Sequence, residues 1–399
     1  MSKALGMRCV WSLCGVLVSV LALASVTRAE VSTDVSGSVL VFPKVVFAAG
    51  NDTVIEITNT SNNMVHAHCF YVNGAPDALG NPLWQVTDFS LWLTRQQPTH
   101  FVVSAGRPVN PSDPPGSAGA GIDPGAVPPV VPGFTGELKC VQVDASGTPF
   151  GANSLKGEAV IISTTGDVSK HNAIAILANP DLAADGEANQ LLLDNTAEHD
   201  GEYNACPNQL YLDHFVDGTP NPVVQSLNPD ACTGGQCPIR TYLTLVPCSQ
   251  DFENNIPAAV TVQFAIVNEL EQVFSASTTV ECWENFRLAD VDAPTGRCTV
   301  GAASVCTTDQ QCIGLGQGFC NKNSVFSVGT LGTGSAFTRI SPVALDGGVI
   351  GVGEEYHYID DGGSARAAWN LQQAGNRYDA TVDLPGGPVV DTITIPDSF

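Results

Sequence analysis

Side chains that alternate one by one between apolar and polar limit what this chain can fold into. A period of two places every second residue on the same face, which is the pattern of a half-buried strand in an antiparallel sheet. The chain also contains 39 glycines and 26 prolines, and only 14% of its residues are charged. This combination predicts an all-β protein with many turns. The clearest alternating segments are residues 53–59, 64–72, 260–266 and 274–282.

The alternating segments form two predicted hairpins that resemble each other. Each return strand carries an inward cysteine, Cys69 in the first and Cys282 in the second, and a proline closes the preceding strand at Pro43 and Pro247. We interpret the parallel as a tandem duplication, the alternative being that any two β-sandwiches share such features. Further matching positions are Gly157 and Gly353, Glu158 and Glu354, and Lys170 and Arg366.

About seven short strands per copy, with turn residues between them and a core cystine, predict two tandem immunoglobulin-like antiparallel β-sandwich domains. Residues 52–62 read Asp-Thr-Val-Ile-Glu-Ile-Thr-Asn-Thr-Ser-Asn. This stretch resembles the strand and turn of bacterial surface-exposed Ig-like domains. The resemblance covers less than a tenth of the chain, and it implies a fold and an extracytoplasmic setting without implying an activity.

The first residues have the layout of a secretory signal peptide. Lys3 and Arg8 precede an apolar run over residues 10–24, and small residues before and at Ala29 predict cleavage after that position. An uncleaved anchor is the alternative. No later stretch approaches about 18 uninterrupted apolar residues, so we expect no transmembrane segment after signal removal. The expected location is secreted, periplasmic or at the cell surface.

Eleven cysteines remain once Cys9 and Cys14 leave with the signal. In an exported chain we expect disulfides, and the odd number leaves one thiol over. Cys206, Cys232 and Cys237 are expected to contribute one pair and the spare thiol. The predicted bridges are Cys69–Cys140, Cys248–Cys282, Cys298–Cys312 and Cys306–Cys320, the last two being one of three possible pairings.

The expected organisation follows from these signals. Residues 1–29 are the signal peptide, 30–205 the first Ig-like domain, 206–240 a linker and 241–399 the second Ig-like domain. Residues 106–133 hold eight prolines and six glycines, which predicts a long exposed loop. Residues 298–320 have the spacing C-x7-C-x5-C-x7-C, which predicts a small cysteine-rich insert that depends on its cystines for order.

Charge and motifs exclude several functional classes. The formal net charge of −24 becomes −27 when Lys3, Arg8 and Arg28 leave with the signal, and such a field repels nucleic acid and anionic membranes. The nucleophile elbow, the zinc-protease motif, the P-loop and the dinucleotide fingerprint are absent from the sequence. We therefore expect no cofactor and an unknown protein or glycan as ligand.

Two histidines form the most suggestive cluster for metal binding. His66 and His68 project from the same face of a predicted strand, where two imidazoles can share a transition metal with a third ligand from a neighbouring strand. Cys69 points the other way. The alternative is a pair of surface histidines outside a core cystine. No metal site is assigned, and these two residues are the candidates.

Acidic residues provide the remaining candidate chemistry. A glycosidase needs two carboxyl groups facing each other across a cleft, which spacing in sequence does not establish. The function expected is therefore a non-catalytic exported binding or structural protein. The alternatives are a secreted polysaccharide hydrolase using paired carboxylates and a periplasmic metal-binding protein. The candidate carboxylates are Asp194, Glu198, Asp200, Glu202, Glu354, Glu355, Asp360 and Asp361.

Overall fold

The computed structural model is all-β, as the alternating pattern predicts. Its sheets are antiparallel, and its helices are short turns between strands. The predicted signal peptide lies outside the described part of the chain. No helix within the described ranges has the length and apolar character needed to span a membrane. The described residues are 31–78, 80–109, 123–178, 190–191, 203, 206–248, 250–251, 257–344, 348–360 and 363–374.

The first unit, residues 31–178, contains ten strands in two sheets that enclose an apolar core. The strands are β1 (Val31–Ser32), β2 (Val39–Phe47), β3 (Asn51–Asn59), β4 (Val65–Asn73), β5 (Gln85–Leu93), β6 (Pro98–Val102), β7 (Phe134–Val143), β8 (Leu155–Ser163), β9 (Val168–Asn172) and β10 (Ile174–Ile176). One sheet has the order β1-β10-β2-β7-β4-β5, and the other has the order β6-β3-β8-β9. Ile55, Ile57, Tyr71 and Leu91 are among the buried side chains between them.

The second unit, residues 206–374, contains a five-stranded, a four-stranded and a three-stranded sheet, and a short strand that precedes the unit pairs with one of its strands. The strands are β11 (Gln190–Leu191), β12 (Gln209–Phe215), β13 (Ile239–Pro247), β14 (Gln250–Asp251), β15 (Ala259–Asn268), β16 (Val273–Glu281), β17 (Glu284–Arg287), β18 (Gly296–Cys298), β19 (Val305–Cys306), β20 (Cys320–Asn321), β21 (Ser335–Pro342), β22 (Val349–Tyr358), β23 (Ser364–Asn370) and β24 (Gln372–Ala374). The helices are α1 (Pro222–Leu227), α2 (Asp309–Gly314) and α3 (Val328–Leu331), with 3-10 turns at Pro229–Cys232 and Leu288–Asp290.

The strand order of the first unit recurs in the second. The order β10-β2-β7-β4-β5 corresponds to β24-β12-β21-β15-β16, and β6-β3-β8-β9 corresponds to β17-β13-β22-β23. Lys170 on β9 lies opposite Val160 on β8, and Arg366 on β23 lies opposite Tyr356 on β22. The two basic residues that match in sequence therefore occupy matching places in the two sheets.

One of the two predicted hairpins is wrong. β3 pairs with β6 and β8 in the four-stranded sheet, whereas β4 pairs with β5 and β7 in the other sheet. The chain therefore crosses from one sheet to the other between β3 and β4. The second predicted hairpin, β15–β16, is confirmed by continuous pairing along its length. A period of two shows which side chains are buried, but it does not show which strand is the neighbour.

The segment expected as a linker, residues 206–240, belongs to the second unit instead. β12 lies between β21 and β24 in the five-stranded sheet. Leu210 and Leu212 on this strand are buried in the core of the unit. The equivalence of Pro43 and Pro247 is also wrong, because Pro43 lies on β2 and Pro247 on β13, which do not correspond in strand order.

Five disulfides form among the described cysteines, three of them as predicted. The predicted Cys248–Cys282 bridge is wrong, because Cys248, which follows β13, pairs with Cys206 instead. Cys282, rather than Cys206, Cys232 or Cys237, is the free thiol, and it is buried. The pairs are Cys69–Cys140, Cys206–Cys248, Cys232–Cys237, Cys298–Cys312 and Cys306–Cys320.

The bridge in the first unit differs from the cystine of an immunoglobulin domain. Cys69 and Cys140 lie directly opposite each other on β4 and β7, with a Cα–Cα distance of 4.0 Å. Those strands are neighbours in one sheet, whereas the immunoglobulin cystine joins two sheets across the core. The bridge therefore fixes the register of two strands rather than the spacing of two layers.

The proline-rich loop is not wholly exposed, contrary to expectation. Residues 123–133, which we call the strap, pack against the core of the first unit. Val127 is 3% exposed within the core, and its amide and carbonyl pair with the backbone of Arg107. The Arg107 guanidinium also donates to the Asp123 carboxylate at 2.6 Å. Prolines lack a ladder donor, but the residues between them can still pack.

The second unit covers the outer face of the larger sheet of the first. A sheet buried on both faces needs apolar side chains at successive positions, which explains the unbroken burial of β2 from Val39 to Val46. Trp283 of the second unit donates from its indole nitrogen to the carbonyl oxygen of Pro43 at 2.6 Å. The buried side chains of this contact include Val39, Val41, Val72, Val141 and Ile174 from the first unit, and Val246, Cys248, Trp283 and Ile350 from the second.

Buried charges accompany this apolar contact. Lys44 donates to the Glu354 carboxylate and, at 3.3 Å, to the Asn285 side-chain oxygen. Lys139 donates to Glu137 at 2.7 Å and to Gln250. Each lysine therefore has a buried acidic partner, as a charge removed from water requires.

The cysteine-rich insert, which we call the knuckle, spans Gly296–Asn321 and holds β18, β19, β20 and α2. Its two disulfides bury four cysteine side chains together, and these cysteines are its own small core. Asp309 of the knuckle accepts from Arg240 at 2.9 and 3.2 Å, which ties the knuckle to β13. The predicted dependence of this insert on its cystines agrees with such a core.

Candidate functional site

The two candidate histidines lie on one face of β4, as their spacing predicts, and both are half-buried. The His66 ring stacks on Trp92 of β5, with ring centroids 4.0 Å apart and planes 6° apart. The His66 Nδ1 donates to the carbonyl oxygen of Asp144 at 2.9 Å, and the His68 Nε2 lies 3.1 Å from an Asp88 oxygen. Burial lowers the pKa of His66. Both rings thus have structural partners.

A metal site at these histidines lacks a third ligand within the described ranges. Cys298, Cys306 and Cys312 are the one described group of three possible ligands close enough to share an ion. All three cysteines are engaged in disulfides and cannot bind as thiolates. The geometry therefore gives the metal-binding alternative no support.

The predicted carboxylates fall in different places. Glu354 is buried against Lys44 between the two units, whereas Glu355, the next residue of β22, points to the other side of its sheet. Asp360 lies beyond the end of β22. The remaining candidates, Asp194, Glu198, Asp200, Glu202 and Asp361, lie outside the described residues.

A carboxylate pair that the sequence analysis did not select lies on the four-stranded sheet of the first unit. Glu56 and Glu158 are opposite each other on β3 and β8. A hydrogen bond from Glu56 to Glu158 raises the pKa of Glu56, and hydrogen bonding from Lys170 lowers the pKa of Glu158. A glycosidase holds its two catalytic carboxyl groups about 5–10 Å apart, so that the glycosidic bond fits between them. Glu56 and Glu158 are in contact and are therefore too close for that role.

A depression of about 610 Å³ lies at one end of the five-stranded sheet of the second unit. We call it the rim depression. It is open to solvent and combines aromatic rings, carboxylates and an amide, the mixture expected of a small-molecule site. Its lining residues are Asp213, His214, Phe215, Val267, Asn268, Glu269, Ser335, Ala336, Phe337 and Glu355.

The ends of three strands build the rim depression. Phe215 ends β12 opposite Ser335, and Asn268 ends β15 opposite Ala336. The Asn268 side-chain oxygen accepts from the backbone N–H groups of Leu270 and Gln272, at 3.0 and 2.9 Å. Asparagine commonly closes a turn in this way. The turn holds Glu269 at the edge of the sheet.

Three carboxylates line the rim depression, and they differ in the hydrogen bonds that they accept. Glu269 accepts from the Ser335 hydroxyl and N–H, both at 2.8 Å, and the hydroxyl bond in particular lowers the pKa of Glu269. Glu355 accepts from the Phe215 N–H and from the His357 ring, both at 3.0 Å. Asp213 is exposed, and no hydrogen bond or ion pair to another described residue engages its carboxylate.

Aromatic rings form the apolar part of the rim depression. Phe337, which is 40% exposed, lies opposite Asp213 and packs on the ring of Tyr211, with centroids 5.7 Å apart. The buried His214 ring donates from Nδ1 to the Phe215 carbonyl, and its Nε2 lies 2.9 Å from the Thr338 hydroxyl oxygen. Burial lowers the pKa of His214.

A second depression, of about 640 Å³, lies on the first unit. Its walls are mainly backbone and small or aliphatic side chains around residues 47–54. Asp52 is its one charged residue, and that carboxylate already accepts from the Thr53 N–H and the Ser104 hydroxyl. This depression therefore offers fewer uncommitted polar groups than the rim depression.

One residue of the rim depression, Glu355, is among the candidate carboxylates of the sequence. Asp213 is not, because it falls in the segment expected as a linker, and Glu269 follows a predicted strand in a segment with no expected role. The sequence does not show that Phe337 is 40% exposed, and isolated exposed aromatic side chains are common on protein surfaces.

Comparison with known proteins adds little to this description. No protein-family model matches the chain, and no curated protein matches it. A chain from a cryo-EM atomic structure of broad bean stain virus aligns at 11% identity, over 90% of this chain and 95% of the viral chain, with a TM-score of 0.14. A similarity at that level carries no argument about fold or function.

Proposed function

We propose that this chain is an exported, non-catalytic binding protein of the cell envelope or extracellular space, and that the rim depression holds a glycan. The observation that carries the proposal is a concave, solvent-open site in which Phe215 and Phe337 lie beside three carboxylates. Sugar rings have apolar C–H faces that pack on aromatic rings, and their hydroxyls donate to carboxylates. The site combines both kinds of contact.

The architectural part of the proposal is two tandem Ig-like sandwiches. The recurrence of one strand order in both units supports a duplication. The in-sheet position of the Cys69–Cys140 bridge counts against a close relationship to antibody domains. β-Sandwich proteins commonly bind their ligands at loops and strand ends, which is where the rim depression lies.

Export is supported by the use of cysteine. Five disulfides among the described residues are typical of proteins that fold in an oxidising compartment. The predicted signal peptide, residues 1–29, points the same way. Periplasm, cell surface and medium all meet this condition.

Polysaccharide hydrolysis is the competing function, since the rim depression contains Glu355 together with Asp213 and Glu269. A glycosidase requires a general acid whose pKa is raised so that it stays protonated. Hydrogen bonds from Ser335 lower the pKa of Glu269, which is the opposite shift. Glu269 therefore does not fit the role of that general acid.

Substitution of Phe337 tests the proposal. The chain lacking residues 1–29 is titrated by calorimetry with neutral, amino and acidic oligosaccharides, and the best ligand is then titrated into Phe337→Ala. Losing one stacking ring should weaken binding about two- to tenfold. Phe150→Ala is the matched control, because Phe150 is an exposed phenylalanine, 53% accessible, on the first unit.

Two results would overturn the glycan proposal. One is the absence of binding heat with every class of oligosaccharide. The other is an equal loss of affinity in Phe337→Ala and Phe150→Ala, which would place the ligand elsewhere. Release of reducing ends during the titration would instead support the hydrolase.

A further inference from the structure

The charge of the rim depression narrows the kind of sugar it can hold, provided that the proposed glycan binding is correct. The lining contains Asp213, Glu269 and Glu355 and no lysine or arginine. The whole chain carries a formal net charge of −24. Uronic acids and sulfated sugars would therefore be repelled both at the site and at a distance.

Few positive groups lie near the rim depression. The His357 ring lies 3.0 Å from Glu355, so any charge it carries is directed at that carboxylate. His214 is buried, and burial lowers its pKa. Arg339 lies further along β21, opposite Tyr211, and is not part of the lining. The negative charge of Asp213 in particular has no cationic partner among the described residues.

The position of this uncommitted carboxylate suits a cation. Asp213 and Phe337 are opposite residues on neighbouring strands, so a group bound between them meets a negative charge and an aromatic ring together. An ammonium group is attracted to both, by ion pairing and by the negative face of the ring. A neutral hydroxyl group interacts less favourably than an ammonium group with the same carboxylate and ring.

We propose that the rim depression binds a glycan through the free ammonium group of an unacetylated amino sugar. Asp213 receives the ammonium group, Phe337 packs on the sugar ring, and Glu269 and Glu355 strengthen the negative potential of the site. N-acetylation of the sugar removes the charge, so acetylated glycans are poor ligands.

A pair of matched oligosaccharides tests this assignment. The full chain without residues 1–29 is titrated with the glucosamine hexamer and with the N-acetylglucosamine hexamer at about pH 6, where sugar amines are mostly protonated. The glucosamine hexamer should bind at least about tenfold more tightly. Asp213→Asn, which keeps the size of the side chain, should remove that advantage and leave the N-acetyl hexamer unaffected.

Asp34→Asn is the control, since Asp34 is an exposed carboxylate of the first unit and the charge change is the same. Equal weakening by both substitutions would show general attraction to a negative protein and overturn the assignment. Equal binding of the two hexamers would also overturn it, while the glycan-binding function would stand. Failure of both hexamers and of every neutral sugar would remove the proposed function itself.

Discussion

At the scale of single residues, four buried charges join the knuckle to the second unit. Arg287 donates to both oxygens of Asp217, at 2.6 and 2.5 Å, as Arg240 does to those of Asp309. Each arginine also donates to the carbonyl oxygen of Cys320. Buried ions stabilise a fold only when partners satisfy them in this way.

Neutralising Asp309 should therefore destabilise the protein at neutral pH. Burial alone would raise the pKa of Asp309, but Arg240 and Arg287 outweigh it and lower that pKa below the value of about 3.9 in an unfolded chain. The contribution of the Asp309 ion pairs to stability is complete above about pH 3.9 and is lost as the pH falls through the pKa of Asp309 in the folded protein. We expect Asp309→Asn to cost about 3–5 kcal/mol at pH 7.

Urea unfolding of both proteins at pH 7 and at about pH 3 measures this effect. The difference in unfolding free energy between them should shrink toward acid, because below about pH 3.9 the unfolded chain binds a proton at Asp309 more readily than the folded chain does. Asp230→Asn, at an exposed position, should match the native chain throughout. A difference that is constant with pH would contradict the ion-pair explanation.

At the scale of elements, the strap closes one end of the first core. Val127 is 3% exposed, whereas Val131, four residues later, is 58% exposed. We expect Val127→Ala to lower the free energy of unfolding by about 2 kcal/mol and Val131→Ala to leave it within about 0.5 kcal/mol. Denaturant unfolding of both variants gives the comparison. Equal stability of the two variants would show that the strap does not contribute to packing.

Several strands were predictable from the sequence, but among their predicted pairings only that of β15 with β16 is correct. Alternation located β3, β4, β15 and β16 because it depends on local side-chain order. Pairing depends on the path of the whole chain, and so the first hairpin and the Cys248–Cys282 bridge were wrong. The rim depression was hidden for the same reason, because Asp213, Glu269 and Phe337 come from three separate segments.

At the scale of the whole molecule, the contact between the units depends on a buried ion pair. The side chains of Lys44 and Glu354 are 6% and 1% exposed. Nearby His171 is also buried, and burial lowers its pKa to about 4, so it adds no third charge at neutral pH. The apolar residues around the pair exclude the water that would otherwise solvate a lone lysine.

Removing one partner of this pair should weaken the whole molecule. Glu354→Gln leaves Lys44 buried without a counter-charge, and we expect a cost of about 3–5 kcal/mol and a fall of roughly 5–10 °C in the melting midpoint by calorimetry. The double variant Lys44→Met with Glu354→Leu should recover most of that loss. Glu281→Gln, on the exposed side of β16, is the control. An unchanged midpoint in Glu354→Gln would mean that the pair is dispensable.

The covered outer face of the first unit has a consequence for how the protein is made. Val39, Val41 and Val72 are synthesised long before Val246 and Ile350, the residues that finally cover them. Until the second unit has been synthesised, these apolar side chains have no cover from it, which is a hazard for self-association. We therefore expect residues 30–178 produced alone to self-associate more readily than the whole chain, because Val39, Val41 and Val72 would then lack the side chains that cover them.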